Sequence, residues 1–268
     1  MKISLKTNFT GLLLRRYWEL LNVLVSRNLK VRYRGSFFGV YWSLLNPLLM
    51  TGLYSAIFGT AFASYYGNSI LNYILAAFTG LVVINFFSAS TSQALNSIVN
   101  NGSLLNKISL PSSVFPISII TSNVFQFSVG VLPVLAVITF IYSQSLVNVL
   151  ALFLPFLALV LVSTGVGFLV SGLYVFFRDL PYFYELVVFV IWLSSPIFYP
   201  AAIVPPHIKQ FLVLNPLSPI IESLRQIALS GTSADFGLIW GALLSGMIIL
   251  SLGWACFHLW RDQYMDLL

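Results

Sequence analysis

Arg27, Lys30, Arg32 and Arg34 place four cations within eight residues, and the run from Gly35 to Met50 that follows carries no charge. Side chains of this type are retained on the cytoplasmic face of a bilayer, and a charge at the bilayer centre costs about 2.5–3.5 kcal/mol even on the lenient insertion scale. Arg34 and Gly35 therefore mark an edge where water ends. Near anionic lipid each such cation contributes about 1 kcal/mol of attraction.

Other reactive groups are sparse. No G-x-x-x-x-G-K-[ST] loop occurs, so no P-loop for ATP is expected here, and no metal or other cofactor is expected on this chain. His207 and His258 fall on opposite sides of the membrane in the topology below and cannot share a metal. No carboxylate, Lys or Arg is expected at mid-depth of a span, which disfavours an ion-coupled carrier. A membrane-embedded transferase would need paired carboxylates or a His near the surface, and the few carboxylates are scattered. The wall of any pathway would be aromatic and hydroxylic, suited to sugars or acyl chains.

Composition sets the class. With 59% hydrophobic and 7% charged residues, the chain has too little polar surface to coat a soluble globule of 268 residues. The expected fold is an all-α, polytopic membrane protein. Its net charge of +6 reflects membrane orientation better than nucleic-acid binding.

From Leu12 to Arg34 a helical wheel gathers Leu13, Leu14, Tyr17, Trp18, Leu20, Leu21, Leu24 and Val25 on one arc and mainly polar residues on the other. Residues 1–34 are read as a cytoplasmic N-terminus with an amphipathic helix in the headgroup plane; packing of that helix on a soluble partner is the alternative. Residues 35–106 and 108–177 lack Asp, Glu, Lys and Arg, and each gap is long enough for two helices of about 20 residues. Spans are predicted near 37–62, 73–97, 113–142, 149–176, 182–199 and 236–260. Eight cations precede Gly35, and Lys107, Arg178 and Arg261 fall on the same side, against Lys209 and Arg225 on the other. Both termini are expected in the cytoplasm.

Three connections stand apart. Residues 97–109 hold Leu104, Leu105 and Lys107 in a polar segment that could form a short helix for a cytoplasmic partner, or an ordinary loop. At the turn after residue 177, Arg178 suits a helix C-terminus and Asp179 can cap the next helix ahead of Pro181. Residues 200–231 are rich in proline yet apolar, and read as a re-entrant extracytoplasmic hairpin between helices 5 and 6. Its second piece is expected to be capped by Ser218 and ended by Gly231, with Glu222 and Arg225 paired three residues apart.

Three blocks in order, RNLKVRYRGSFFGVYWSLLNPLL, FRDLPYFYELVVFVIWLSSPIFYP and LNPLSPIIESLRQIALSG, resemble the ABC-2 type permeases that export lipid-linked polysaccharides such as O-antigen, capsular polysaccharide and teichoic acid. The resemblance implies a homodimeric transport subunit, not itself an enzyme, in the bacterial inner membrane. It implies two partner subunits that bind and hydrolyse ATP with Mg²⁺, and a polymer on polyprenyl pyrophosphate as substrate. Arg27, Lys30, Arg32 and Arg34 then become candidates for pyrophosphate capture. Leu104, Leu105 and Lys107 become candidates for coupling to the ATPase, and Glu222 and Arg225 belong to a gate hairpin. Because sugar faces bury against aromatic rings, Tyr41, Trp42, Tyr54, Phe58, Trp192, Phe198 and Tyr199 are the candidate channel lining. The alternative within the family is export of small drugs or lipids.

Overall fold

The computed structural model describes residues 4–105, 110–200, 203–205, 207, 215–229 and 235–264, and every regular element among them is helical. The long helices are α1 (Ser4–Tyr33), α2 (Trp42–Phe62), α3 (Ile70–Leu95), α5 (Val114–Gly130), α6 (Leu132–Ser143), α8 (Phe153–Phe176), α9 (Leu180–Ser194), α10 (Leu217–Leu229) and α11 (Phe236–Trp260). Two short ones, α4 (Gly102–Leu105) and α7 (Leu146–Ala151), sit in connections.

Four stretches are long and apolar enough to cross a bilayer: Gly39–Tyr66, Ile70–Leu95, Leu146–Phe176 and Phe236–Trp260. A fifth forms if α5 and α6 act as one span bent by 42°. The bend was not foreseen in the 113–142 segment. It sits at Val131, where Pro133 follows in the first turn of α6 and has no N–H to continue the ladder. Leu152 likewise separates α7 from α8, with Pro155 just beyond. The 182–199 segment is helical only to Ser194, and at about 1.5 Å per residue α9 reaches about 22 Å, short of a hydrocarbon core of about 30 Å.

Helix ends follow their local chemistry. Gly35, at φ 73, takes the left-handed conformation just past α1. Gly67 and Asn68, at φ 68 and 57, turn the chain before α3, whose Ser69 accepts from the Asn72 N–H at 3.3 Å. Asp179 occupies the N-cap position of α9 without a side-chain capping bond. The first turn of α10 is held by Asn215, whose Oδ1 accepts from the Leu217 N–H at 3.0 Å, and not by Ser218, whose hydroxyl is buried inside the helix. Gly231 lies outside the described residues.

The centre of the bundle is α3. Two-thirds of its apolar window is buried, against 22% for Gly39–Tyr66 and 28% for α11, so the latter two are peripheral and offer Leu49, Leu53, Ile57, Trp240 and Ile248 outward. Around α3 the main core joins α5, α6, α8, α10 and α11. Phe127 stacks on Phe156 with ring centroids 4.6 Å apart, and Phe86 meets both edge-on.

A second core lies at the other end, where Leu21 and Leu24 of α1 pack with Ile98, Leu105, Phe115, Phe168, Phe257 and Tyr264. Here α1 is longer than its apolar arc suggested and divides that arc. Leu21 and Leu24 face the protein, while Leu14 and Trp18 are exposed.

Candidate functional site

Arg32, in the last turn of α1, reaches into the bundle. Its Nη1 donates to Asn123 Oδ1 at 3.0 Å and to Gln126 Oε1, and its Nη2 donates to Gln93 Oε1. Asn123 is buried, and its Nδ2 donates onward to Gln93 Oε1 at 3.2 Å. α1, α3 and α5 each supply part of this cluster. All three partners are neutral, so the guanidinium is oriented by hydrogen bonds, and among the described residues no carboxylate pairs with it. A charged donor held in this way can exchange amide oxygens for those of an anion, and charge-assisted bonds are the stronger.

The other three cations of the sequence cluster do not join it. Arg27 donates through Nη2 to Asn101 Oδ1 at 3.1 Å, tying α1 to the segment that leads into α4, while Lys30 and Arg34 are exposed. Next to Arg32, burial lifts the Tyr33 hydroxyl above its ordinary value against the lowering effect of the Arg32 charge. The phenol is therefore neutral at physiological pH.

Arg32 lines two cavities, each with several carboxamides in its wall. One, of about 540 Å³, lies between α2, α3 and α5 and is lined by Trp42, Asn46, Asn85, Phe86 and Ser88. The second, of about 720 Å³, is bordered by Arg27, Asn28, Gln93, Asn96 and Asn100. The Arg32–Gln93–Asn123 cluster stands where the two meet. Charge-based reading of the sequence missed this cluster, because Asn and Gln are silent in a map of charges; three carboxamides in otherwise apolar spans were the available signal.

The seven candidate channel aromatics separate into two groups. Tyr54 stacks on Phe198 with centroids 3.7 Å apart and planes 19° apart. Phe58 lies 6.1 Å from Tyr54, and Trp192 meets Phe198 at 5.7 Å. With Phe62 and Phe189 at the two ends, these rings form a continuous ladder from α2 to α9. Tyr199 closes the end of α9 by donating to the Ser194 carbonyl at 3.1 Å. Tyr41 and Trp42 sit at the opposite end of α2, where Trp42 packs edge-on against Phe38 at 5.4 Å.

The chain leaving α9 is clamped at a corner under this ladder. Arg225 Nη2 donates to the carbonyls of Pro196 at 2.9 Å and Ala76 at 3.1 Å, and the Tyr73 hydroxyl donates to the Phe198 carbonyl at 2.9 Å. Asn215 Nδ2 donates to Ser195 Oγ at 2.9 Å. Ile197 packs onto Gly80 so closely that an added Cβ would lie 3.2 Å from the Ile197 Cα. Glu222 pairs with Arg225 at 3.5 Å as its spacing suggested, yet Arg225 is far more buried than its partner, with side chains 8% and 45% exposed. Its guanidinium also lies 5.8 Å from the centre of the Tyr66 ring.

Of the coupling candidates, Leu105 is buried in the second core and Leu104 is half-buried against it. Ser103 beside them is exposed. Lys107 lies outside the described residues, as does the first piece of the proposed hairpin, 208–214.

Comparison with known proteins gives the family. The sequence pattern of the ABC-2 type transporter family matches residues 19–229. Two O-antigen export system permease proteins RfbA from Klebsiella pneumoniae are each 29% identical to the chain over 201 residues, covering 74% of it and 77% of their own length. An O-antigen export system permease protein RfbA from Myxococcus xanthus is 27% identical over the same length and shares. The chain therefore belongs to the ABC-2 type transporter family, as a multi-pass protein of the bacterial inner membrane.

Proposed function

We propose that this chain is the permease subunit of an ATP-driven exporter that carries a polysaccharide of the O-antigen class, linked to a polyprenyl pyrophosphate, from the cytoplasm across the inner membrane. Two copies form the pathway between them, and two separate subunits bind ATP and Mg²⁺ and supply the energy. Both termini and the Arg32 end of the bundle face the cytoplasm. α9 and the corner after it complete six crossings, with α10 as the inner arm of an extracytoplasmic gate.

The observation that carries this reading is the guanidinium of Arg32, held by neutral carboxamides and set between two cavities in a chain similar to O-antigen export permeases. Pyrophosphate is the chemical complement of such a group, because its oxygens accept several charge-assisted bonds from one planar fork. Arg34, exposed two residues later, extends the positive approach. The aromatic ladder from Phe58 to Trp192 offers ring faces to a sugar chain while hydroxyls remain hydrated. The 97–109 segment, with Leu104, Leu105 and Lys107, is the contact with the ATPase.

Arg32→Ala combined with Arg34→Ala tests the reading in cells that depend on the exporter. The double variant is expected in the membrane at wild-type level, with polymer export and substrate-stimulated ATP hydrolysis both lost. Unchanged export and hydrolysis in a correctly inserted variant would leave these cations as topology signals only.

A further inference from the structure

We infer that the smaller cavity beside Arg32 is a carbohydrate subsite that receives the sugar joined directly to the pyrophosphate of the substrate. The inference rests on the pyrophosphate reading of Arg32 and adds to it a site for the neighbouring residue of the polymer.

Both cavities touch Arg32, and their linings differ. The larger holds carboxamides with Val31 and Ile119 as its apolar members and no aromatic ring. The smaller sets Trp42 and Phe86 among Asn46, Asn85 and Ser88. Aromatic faces beside neutral polar groups are the combination a pyranose requires, with an apolar face to cover and a rim of hydroxyls to bond. At about 540 Å³ the cavity falls within the range of small-ligand sites.

The side chains of Asn46, Asn85 and Ser88 make no hydrogen bond among the described residues, although Asn85 and Ser88 are half-buried in the central helix. Asn46 is exposed on α2, whereas a half-buried carboxamide such as Asn85 in an apolar bundle costs free energy unless something bonds it. Carboxamides donate and accept, which matches hydroxyl and acetamido groups. Among the described residues no carboxylate and no cation besides Arg32 lines the cavity, so the group it takes is neutral and lies next to the anion on Arg32. This is the order of groups in a sugar pyrophosphate, with the phosphates on the guanidinium and the first ring in the cavity.

The test uses the full-length permease in lipid nanodiscs and two probes, a polyprenyl diphosphate and the same lipid bearing one N-acetylhexosamine. Wild type is expected to bind the glycosylated probe about tenfold more tightly, the scale of one or two net hydrogen bonds. Asn46→Leu with Asn85→Leu should erase that preference and leave affinity for the bare lipid unchanged, which also reports that the protein is folded. If the double variant loses the bare lipid too, Asn85→Ala alone must lower the preference for the inference to stand. A preference that survives these changes, or its absence in wild type, overturns the subsite while the reading of Arg32 remains. Wild-type binding of both probes that is unaffected by Arg32→Ala overturns the pyrophosphate reading, and with it the subsite that depends on it. Failure of wild type to bind either probe removes both.

Discussion

Gly253 of α11 rests directly on the backbone of Gly165 in α8, with no room for a side chain between them. A methyl group added at Gly253 would overlap the Gly165 carbonyl, and one added at Gly165 would overlap the backbone of Ile249. Gly246 extends the contact, since a Cβ there would lie 3.1 Å from the Ala158 carbonyl oxygen. Close backbone approach through small residues is how helices associate where lipid removes the hydrophobic drive between them. Gly253→Ala is expected to destabilise the protein by about 1–3 kcal/mol, the usual cost of overpacking. Gly241→Ala, on the same helix with nothing within 4 Å, is expected to be neutral. Thermal unfolding of detergent-solubilised protein, read by loss of the monodisperse chromatographic peak, compares the two.

The Arg225 clamp predicts an asymmetry within its ion pair. Removing the guanidinium leaves the Pro196 and Ala76 carbonyls without their donor at a buried site, whereas Glu222 is partly exposed and its pair is screened. Arg225→Gln should cost about 1–3 kcal/mol, as for leaving a buried acceptor unbonded, and Glu222→Gln no more than about 1 kcal/mol. The same unfolding measurement applies, and equal losses would contradict the clamp.

The aromatic ladder predicts a separation of transport from assembly. Trp192→Ala with Tyr199→Ala removes one ring of the ladder and the hydroxyl that closes α9, while Arg225, Tyr73 and Asn215 still hold the corner. Polymer export should fall at least tenfold while dimer and ATPase association persist in native gels. Parallel loss of assembly would show that these rings pack rather than line a path.

Leu104 and Leu105 should behave differently despite being neighbours. Leu105 is buried among Leu21, Ile98 and Phe115, so Leu105→Ala is expected to cost about 2–4 kcal/mol of stability. Leu104 is only half-buried next to exposed Ser103, so Leu104→Asp should spare the fold and abolish co-purification of the ATPase. Retention of the ATPase by a folded Leu104→Asp protein would place the coupling contact elsewhere.

Charge silence made the helical class legible, because a bilayer tolerates few charges and the gaps between them stand out in the sequence. The α11 segment could be placed for the same reason, and the turn before α3 from the Gly and Asn residues within 64–72, with Asp235 and Ser69 capping the two helices. What the gaps hide is polarity without charge. Gln93, Asn123 and Gln126 lie 61 to 94 residues from Arg32 in sequence, and only the packing of α3 and α5 against α1 brings them onto one guanidinium. The depth of Arg225 was hidden similarly, since its carbonyl partners on Ala76 and Pro196 are backbone groups that no residue type announces. Pro133 and Pro155 were visible, but their effect depended on whether neighbouring helices would tolerate a break.

Reconstitution of the permease with its ATPase in proteoliposomes, with ATP hydrolysis followed as pyrophosphate-linked polysaccharide is added, probes the role of Arg32 most directly. Hydrolysis should rise with the lipid-linked polymer, not with the same polymer released from its lipid, and the response should vanish in Arg32→Ala. Stimulation by small amphiphiles alone, or an undiminished response in Arg32→Ala, would contradict the account.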